Sequence, residues 1–515
     1  MSWNYERSLR RIEQHRDSIG EIEIQKLVRE ADLDQLLTET RCREIYSAHV
    51  YATISNFTHL ASNTVYAEDD YKRLIQGVHI YQREVSRIVE ATVFDGLRVH
   101  YQGPKLHALF YRPIDNTEEL VIRAFFLPLV IKDFVRSVFN PAFSMYDNFE
   151  IAAGADIGDV IGTRNGQRND RELLFLGAPA NYAAKVIGTS GSLRLTNEIY
   201  DALPEELQDV CFEVTDDVYQ TYALTTEELD DLLEAYGFDW DRDASEQRIK
   251  DDKAAFPLKD IGYSSANTLI DFDTLSIKNN KRVLAASIFA DVTGFTRYID
   301  AAESDEEKIE ALRVLHVIRK EMATVIRNDF EGVRIQFQGD RAQGIFHMPK
   351  DDEEGISTEA IEAAIGLESS MEHTIKEALP EAAELHLAIG ADVGITLASK
   401  LGTRAHRDRI CLGEAVEGAA RNEEKCGGRE IGISKAVLDA LPDRLSNLFT
   451  YSEAAKCYIA IGLTAAKAER TQKAAAYAGG NPLFVSSDGP TIRIRTEESH
   501  NARAATPSSS WSSEE

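Results

Sequence analysis

Cysteine is scarce in this 515-residue chain, and its five cysteines are too widely spread to form a C-x-x-C pair. That spacing fits neither a zinc site nor a disulfide framework, and it is typical of a reducing compartment. The first residues lack the apolar core of a signal peptide, so we expect a cytoplasmic protein. The most apolar stretch, residues 120–139, contains four charged side chains. It therefore predicts a buried core segment instead of a membrane span.

Positive charge is also in short supply, because 57 basic residues face 86 acidic ones and leave a net charge of −29. A surface with this charge repels phosphate backbones and anionic lipid, so we expect neither a nucleic-acid partner nor a membrane partner. Hydrophobic residues make up 43% of the chain, which is enough for more than one core. At about 150 residues per domain, the length predicts two to four domains.

An internal repeat organises the sequence. Four short motifs recur at one offset of 236 residues, and two further motifs recur at 238. Those at 236 are Gln102-Gly103, Gly154-Ala155-Asp156, Leu176-Gly177 and Ala183-Ala184, with counterparts that begin at Gln338, Gly390, Leu412 and Ala419. A preserved order and spacing of this kind indicates a duplicated domain. The predicted segments are a helical N-terminal arm (1–45), a first copy (46–222), an acidic helical connector (223–281), a second copy (282–470) and a C-terminal segment with a disordered tail (471–515).

The second copy predicts its own topology. Val283 to Val292 and Leu385 to Val393 resemble buried strands, and two alternating strands meet at residues 339–341. Helical patterns cover Ser304 to Asn328, which opens with a capping box, and Ser357 to Leu379. The order βαββαβ is the ferredoxin-like pattern. We therefore predict an α+β protein with two tandem ferredoxin-like domains that pair within the chain.

Two carboxylates follow strands that this topology makes neighbours. Asp291 ends the first strand and Asp340 lies in the turn before the third, so both should converge at one sheet edge. Mg²⁺ favours one or two carboxylates together with substrate phosphates. The loop that follows Asp291 reaches a helix through Gly294, Phe295 and Thr296, where backbone amides suit phosphate. These three residues are candidate substrate contacts.

At these residues the sequence resembles the class III nucleotidyl cyclases. The stretch from Phe289 to Thr296 is similar to their metal-binding signature, and Gln338-Gly339-Asp340 is similar to their second metal motif. The resemblance implies two divalent cations, Mg²⁺ or Mn²⁺, held by Asp291, Asp340 and the backbone carbonyl of Val292. It also implies a nucleoside triphosphate substrate and active sites built across a pair of domains.

The first copy has lost the metal positions. Thr53 stands where the second copy has Asp291, and Pro104 stands where it has Asp340. Neither residue can bind Mg²⁺ through a carboxylate, so only the second copy is expected to hold the cations.

The helix motif shows the opposite loss. The family pattern has an Asn and, four residues later, an Arg, which lie on one helix face. The first copy has Asn181 and Lys185, whereas the second has Glu417 and Arg421. We therefore predict one composite site, with metals from the second copy and the catalytic Asn181 and Lys185 from the first. The other site should be inactive.

The residues that read a purine in this family are missing. His100 stands at the family's Lys position in the first copy, and Leu174 stands at its Asp position. Tyr51, Arg98 and His100 are the candidate base contacts, and the even spacing of Arg98 and His100 predicts that they share a strand face. An Arg can donate to the carbonyl oxygens of uracil. This set resembles the pyrimidine cyclases of Pycsar antiphage systems.

The resemblance implies a uridylate cyclase that makes a 3′,5′-cyclic nucleotide and pyrophosphate for antiphage defence, read by an effector protein that the cyclic nucleotide activates. Two alternatives stay open. One is a cytidylate or adenylate cyclase in ordinary signalling, and the other is a catalytically silent regulatory module. Retention of both metal-site aspartates favours an enzyme over the silent module.

Overall fold

The structure is a computed structural model that describes residues 3–63, 68–143, 147–165, 172–188, 191–403 and 407–478. The N-terminal segment contains α1 (Tyr5–Ser18), β1 (Glu23–Lys26) and α2 (Leu33–Leu36). The first half contains β2 (Arg41–Ile54), α3 (Phe57–Asn63), α4 (Glu68–Val89), β3 (Leu97–Gln102), β4 (Lys105–Phe110), α5 (Thr117–Phe134), α6 (Asn140–Ala142), β5 (Ile151–Asn165), β6 (Glu172–Leu176), α7 (Ala178–Lys185), β7 (Leu193–Thr196), α8 (Asn197–Ala202), α9 (Glu205–Gln208), β8 (Cys211–Thr215) and β9 (Val218–Thr221).

The connector and the second half follow. The connector contains α10 (Thr226–Ala235), α11 (Arg242–Ala255) and β10 (Gly262–Ser264). The second half contains β11 (Asn279–Thr293), α12 (Phe295–Asp300), α13 (Asp305–Thr324), β12 (Val333–Gln338), β13 (Arg341–Phe346), α14 (Glu353–Ser369), α15 (Lys376–Ala378), β14 (His386–Gly402), β15 (Arg407–Leu412), α16 (Glu414–Glu424), β16 (Glu430–Ile433), α17 (Lys435–Ala440), α18 (Asp443–Ser446), β17 (Thr450–Ser452) and β18 (Cys457–Ile461), and α19 (Ala465–Ala478) closes the described chain.

The two halves have the same sheet topology. The first sheet runs β3-β4-β2-β5-β7-β9-β8, with β1 beside β2 and β6 beside β5. The second runs β12-β13-β11-β14-β16-β18-β17, with β10 beside β11 and β15 beside β14. In the second half, β11 is antiparallel to both β13 and β14. The predicted α+β fold with two tandem ferredoxin-like domains is confirmed.

Local sequence explains the elements that frame the site. Ser304 and Glu307 form the predicted capping box at the start of α13, so the helix begins at Asp305. Helix α16 packs closely on β14 because Gly390 has no side chain. A Cβ atom there would lie 2.2 Å from the carbonyl oxygen of Ala419. Gly154 has the same relation to Ala183 in the first half, which explains why the repeat keeps both glycines.

The halves exchange hairpin arms. In the β5–β6 hairpin, Ile161, Leu174 and Leu176 belong to the hydrophobic core of the second half. In the β14–β15 hairpin, Leu397, Leu401, Ile410 and Leu412 belong to the core of the first half. Because each half completes the core of the other, the two form a pair within one chain.

Two ion pairs, 236 residues apart in sequence, fix these arms. Arg98 Nη1 donates to Asp408 Oδ2 at 2.8 Å, and Arg334 Nη1 donates to Glu172 Oε1 at 3.0 Å. Each carboxylate also accepts a backbone N–H from the edge strand that it meets, from Tyr101 at 3.2 Å in the first case. The repeat is therefore expressed as a pseudo-twofold relation between the halves.

The chain divides into one unit that ends at Glu469 and a second, residues 470–515, of which the structure describes 470–478. The disordered tail predicted from the sequence lies outside the described residues. Among the helices of the described ranges, none has the length and apolar character that a membrane crossing needs.

Candidate active site

The two predicted metal-site carboxylates meet at one sheet edge. Strand β11 pairs with β13 through Ala290 and Ala342, which places Asp291 beside the turn that contains Asp340. Both side chains are half-buried. Burial raises the pKa of Asp291, and the positive charges of Arg341 and Lys185 oppose that rise. Burial, and then the negative charge of Asp291, raise the pKa of Asp340 well above its usual range. A divalent cation bound between them would relieve this repulsion.

The loop after Asp291 turns sharply into α12. Gly294 adopts a φ of 94°, a left-handed conformation that favours glycine. The side chains of Val292 and Phe295 are buried in the core of the second half, so only their backbone atoms are available to a ligand. Thr296 is half-buried and keeps its hydroxyl at the interface between the halves.

Helix α7 of the first half brings its polar residues to this loop. Asn181 Nδ2 donates to Thr296 Oγ1 at 2.9 Å, a hydrogen bond between the halves. Lys185 is exposed, and its charge acts on Asp291 and on Asp300. The helix starts at Gly177, where φ is 140° and a Cβ atom would lie 3.0 Å from the carbonyl oxygen of Asp159. The structure therefore brings together the metal-site carboxylates of one half and the helix residues of the other.

These donors fit a divalent cation. The two carboxylates and the backbone carbonyl predicted as ligands would form an incomplete oxygen shell, as expected where substrate phosphates supply the remaining ligands. Within the ranges that the structure describes, no cluster of three or more His, Cys, Asp or Glu side chains could hold a metal by itself. The site thus matches a metal that arrives with a phosphate substrate and not a closed structural metal site.

The pseudo-symmetric location is a degenerate site. A cavity of about 230 Å³ there is lined by Thr53 and Pro104 from the first half and by Gln336 and Glu417 from the second. Thr58 Oγ1 donates to Glu417 Oε2 at 3.1 Å, in the place that the Asn181 bond has in the other site. No carboxylate stands at either metal position here, so the geometry offers no cation site of the same kind.

The predicted base contacts separate in the structure. Strand β3 has a bulge between Arg98 and His100, so Arg98 faces Ala108 while His100 faces His107 on β4. Successive residues of a strand point to opposite sides, so the prediction that Arg98 and His100 share a face is wrong. Arg98 is 6% exposed and its guanidinium is paired with Asp408.

Tyr51 and His100 remain on one face. Tyr51 pairs with His107 across β2 and β4, and their rings stack at a centroid distance of 4.3 Å. Burial raises the pKa of Tyr51, which keeps its hydroxyl protonated. Burial and the charge of Arg98 lower the pKa of His100 to about 3, so this ring is neutral. Gln102 Nε2 lies 2.8 Å from His100 Nε2, a contact that suits the tautomer with its proton on Nδ1.

Sequence reasoning missed a histidine chain beneath Tyr51. His49 Nδ1 lies 3.0 Å from His107 Nε2, and His49 Nε2 lies 3.1 Å from the hydroxyl of Ser47. Burial lowers the pKa of both histidines, to about 3 for His49, so neither carries a charge. The signal was the alternation of Ser47, His49 and Tyr51 along β2. The sequence does not show the register of β4, which places His107 opposite Tyr51.

Acidic residues of one half that meet a polar helix of the other are the arrangement expected from the resemblance to the class III nucleotidyl cyclases. Residues 279–471 match the family model described as the adenylate and guanylate cyclase catalytic domain. A curated uridylate cyclase from Pseudomonas aeruginosa is 31% identical over 94% of this chain and 96% of its own length. Another, from a Rhizobium species, is 26% identical over 79% of this chain and 80% of its own length.

A solved structure shows that the similarity also holds for the fold of nearly the whole chain. A class III adenylyl cyclase-like ATP-binding protein from Pseudomonas aeruginosa superposes with a TM-score of 0.79, at 27% identity over 91% of this chain and 98% of that one. The chain therefore belongs to the class III nucleotidyl cyclase family.

Proposed function

We propose that this cyclase converts UTP to 3′,5′-cyclic UMP and pyrophosphate at the composite site. The observation that carries the proposal is the convergence of Asp291 and Asp340 with Asn181 and Lys185 across the two halves. The Pseudomonas aeruginosa relative, which is 31% identical over 96% of its own length, is a uridylate cyclase. This similarity supports UTP as the substrate. In the reaction, the ribose 3′-oxygen bonds to the α-phosphorus, the bond from that phosphorus to the pyrophosphate oxygen breaks, and the 3′-hydroxyl proton passes to solvent.

Each residue of the composite site has a separate task. Asp291, Asp340 and the Val292 carbonyl would hold two divalent cations, Mg²⁺ or Mn²⁺, which supply charge neutralisation at the phosphates when bound. Lys185 stands next to this centre and offers a cation to the developing charge on the transferred phosphoryl oxygens. Asn181 holds the loop that contains Thr296 in place through its side-chain amide. In this proposal, the same amide lies on the face of α7 that borders the substrate. Gly294 and the backbone of Phe295 and Thr296 border the phosphates.

The first half reads the base in this proposal. With its proton on Nδ1, His100 can donate to a uracil carbonyl, and Tyr51 adds a ring and a hydroxyl beside it. Leu174 is 4% exposed and apolar, so it cannot accept the exocyclic amine of adenine. An unpaired polar edge against such a wall costs roughly 1–3 kcal/mol. Arg98, committed to Asp408, would act on the base through the position of strand β3.

A direct experiment tests the substrate. The purified full chain is incubated with Mn²⁺ and each of the four ribonucleoside triphosphates, and the products are resolved by mass. Cyclic UMP should form fastest, and Asp291→Ala should remove it. The structural relative that binds ATP makes adenylate cyclisation the second candidate. If cyclic AMP forms fastest, the proposed pyrimidine preference is wrong while the enzyme class stands.

The biological role follows from the product. A cyclic pyrimidine nucleotide is a signal only if a second protein binds it, so we infer an effector that cyclic UMP activates. We propose that the cyclase and its effector act in antiphage defence. We place them in the cytoplasm, where all five cysteines would persist as the free thiols seen in the structure. Phage challenge of cells that carry the wild type or Asp340→Ala tests this role, because only the wild type should lower plaque numbers.

A further inference from the structure

A basic cavity lies outside the composite site. Its volume is about 420 Å³, within the range of small-molecule sites. Helix α1, helix α13 with the π-helical turn 325–329 that continues it, the end of strand β5 and the edge strand β12 form its walls. Four of its lining side chains are cationic, namely Arg319, Lys320, Arg327 and Arg334, and no carboxylate among the described residues lines it. In a chain with a net charge of −29, this concentration of positive charge is unusual.

Arg319 is the buried centre of this cavity. It is 2% exposed, and its Nη2 donates to Glu172 at 2.8 Å. Its Nε and Nη1 are buried and have no hydrogen-bond partner among the described residues. Leaving buried charged donors without acceptors is unfavourable, because their lost hydration is not replaced by other hydrogen bonds. A ligand that supplies oxygen acceptors would remove that cost.

The neighbouring carboxylates do not fully neutralise the positive charge around Arg319. Glu172 is shared, because it also accepts from Arg334 at 3.0 Å. Lys320 pairs with Glu39 at 2.7 Å on the rim. Burial lowers the pKa of Arg319 to about 10, which still leaves it charged at neutral pH. A second polar atom at the wall, His15 Nε2 of helix α1, is likewise buried and has no hydrogen-bond partner among the described residues.

Helix α1 is fixed where it closes the cavity. Arg11 of this helix donates to Glu321 at 2.7 Å and to Asp329 at 3.1 Å, and Ser8 donates to Glu321 at 2.8 Å. The wall is therefore preformed. It comes from a segment that precedes residues 279–471, the part that matches the family model.

We propose that this cavity is a second anion site, which takes a small phosphate-bearing ligand of more than one negative charge. Guanidinium groups suit phosphate oxygens, and four cations around one cavity suit a multiply charged anion better than a single carboxylate. The charge of Arg319 also acts on Asp340 and on His100, two residues of the proposed composite site.

Binding of inorganic pyrophosphate to the full chain tests the proposal without any turnover. The titration is calorimetric and is done in EDTA, so that the metal-site carboxylates repel the anion. We expect one binding event, weakened about 10-fold or more by Arg319→Gln or by Arg327→Gln. Arg327 is half-buried at the rim, so this variant should fold even if Arg319→Gln does not. Arg313→Gln is the matched control on the same helix, where Arg313 pairs with Glu310 at 2.6 Å.

Three outcomes overturn the proposal. The wild type fails to bind pyrophosphate at millimolar concentration, the two cavity variants bind as tightly as the wild type, or binding is lost in Lys185→Ala and kept in Arg327→Gln. The last result would place the anion in the composite site. None of these results bears on the cyclisation reaction, so the two proposals can fail separately.

Discussion

Asn181 in the first half donates a 2.9 Å hydrogen bond to the hydroxyl of Thr296 in the second half, in the segment that follows the predicted metal ligand Asp291. The pseudo-symmetric pair consists of Thr58 and Glu417, in which the polarity of the bond is reversed because the acceptor is a carboxylate. One interface contact thus exists twice, once beside Asp291 and Asp340 and once where Thr53 and Pro104 stand at the equivalent positions. The two sites differ in chemistry and not in architecture.

This difference predicts an unequal effect of matched substitutions. Asn181→Ala and Lys185→Ala should each lower kcat by about 10²–10³, because each removes a positioned polar group next to the reacting phosphate. Glu417 and Arg421 occupy the equivalent places in the degenerate site. Glu417→Ala and Arg421→Ala should therefore leave kcat within a few-fold of the wild type. Steady-state kinetics with UTP measures both pairs. Equal losses in the two pairs would contradict this division of roles between the halves.

A second prediction concerns the metal-site carboxylates. Asp291→Ala or Asp340→Ala should abolish cyclisation at any Mn²⁺ concentration, since each removes a ligand from a shell that has few protein donors. Both side chains are half-buried at a sheet edge, so the folded protein should persist, as checked by circular dichroism. Thr53→Ala, at the equivalent position of the first half, is the matched control and should keep full activity. Activity of either Asp variant near that of the wild type contradicts the assignment.

The histidine beneath Tyr51 gives a third prediction. His107→Leu removes the ring that stacks on Tyr51 at 4.3 Å, a contact worth about 0.5–1.5 kcal/mol. The KM for UTP should rise roughly threefold to tenfold, and the preference for UTP over ATP should fall, while kcat changes less. His107→Phe keeps a ring and should restore most of the preference. Gln343, the counterpart of His107 in the second half, lines the degenerate cavity. Gln343→Leu should therefore change neither the KM for UTP nor the preference for UTP over ATP. An unchanged UTP to ATP ratio in His107→Leu rules out a role in base selection.

A fourth prediction concerns stability and pH. Glu368 is fully buried in α14 and neither carboxyl oxygen has a hydrogen-bond partner among the described residues, with Arg429 3.9 Å away. Burial, and then the charge of Glu372, raise the pKa of Glu368 to about 8. Because the folded pKa lies above the unfolded one of about 4.3, the wild type loses stability as the pH rises from about 4.3 to 8.

Glu368→Gln should therefore stabilise the protein increasingly over that window, by roughly 1–3 kcal/mol at pH 8 and little at pH 5. Thermal unfolding at both pH values measures the effect. Glu354→Gln, an exposed carboxylate on the same helix, is the control and should change the midpoint little at either pH. A gain for Glu368→Gln that is equal at pH 5 and pH 8 would show that this carboxyl is not protonated in the folded state.

The sequence by itself determined the repeat and the fold of each half, and it predicted how the site is divided between them. Recurrent motifs at one offset mark the duplication, and β-strand and helix periodicity follow from which residues must be buried. Asp291 and Asp340 could be paired from the sequence because an antiparallel neighbour relation between two strands brings their ends together. The capping box at Ser304 was readable for a similar reason, since it depends on residues only three apart.

Only the tertiary structure decided the contacts that depend on register between distant strands and on packing between the halves. The bulge between Arg98 and His100 adds one residue on one strand, and no periodic pattern in β3 shows it. The pairing of Arg98 with Asp408 joins residues 310 positions apart, through an arm whose direction is set by the core that it enters. The stacking of His107 on Tyr51 and the closure of the basic cavity by α1 arise in the same way. Local sequence fixes which groups are available, and the exchange of arms between the halves fixes which of them meet.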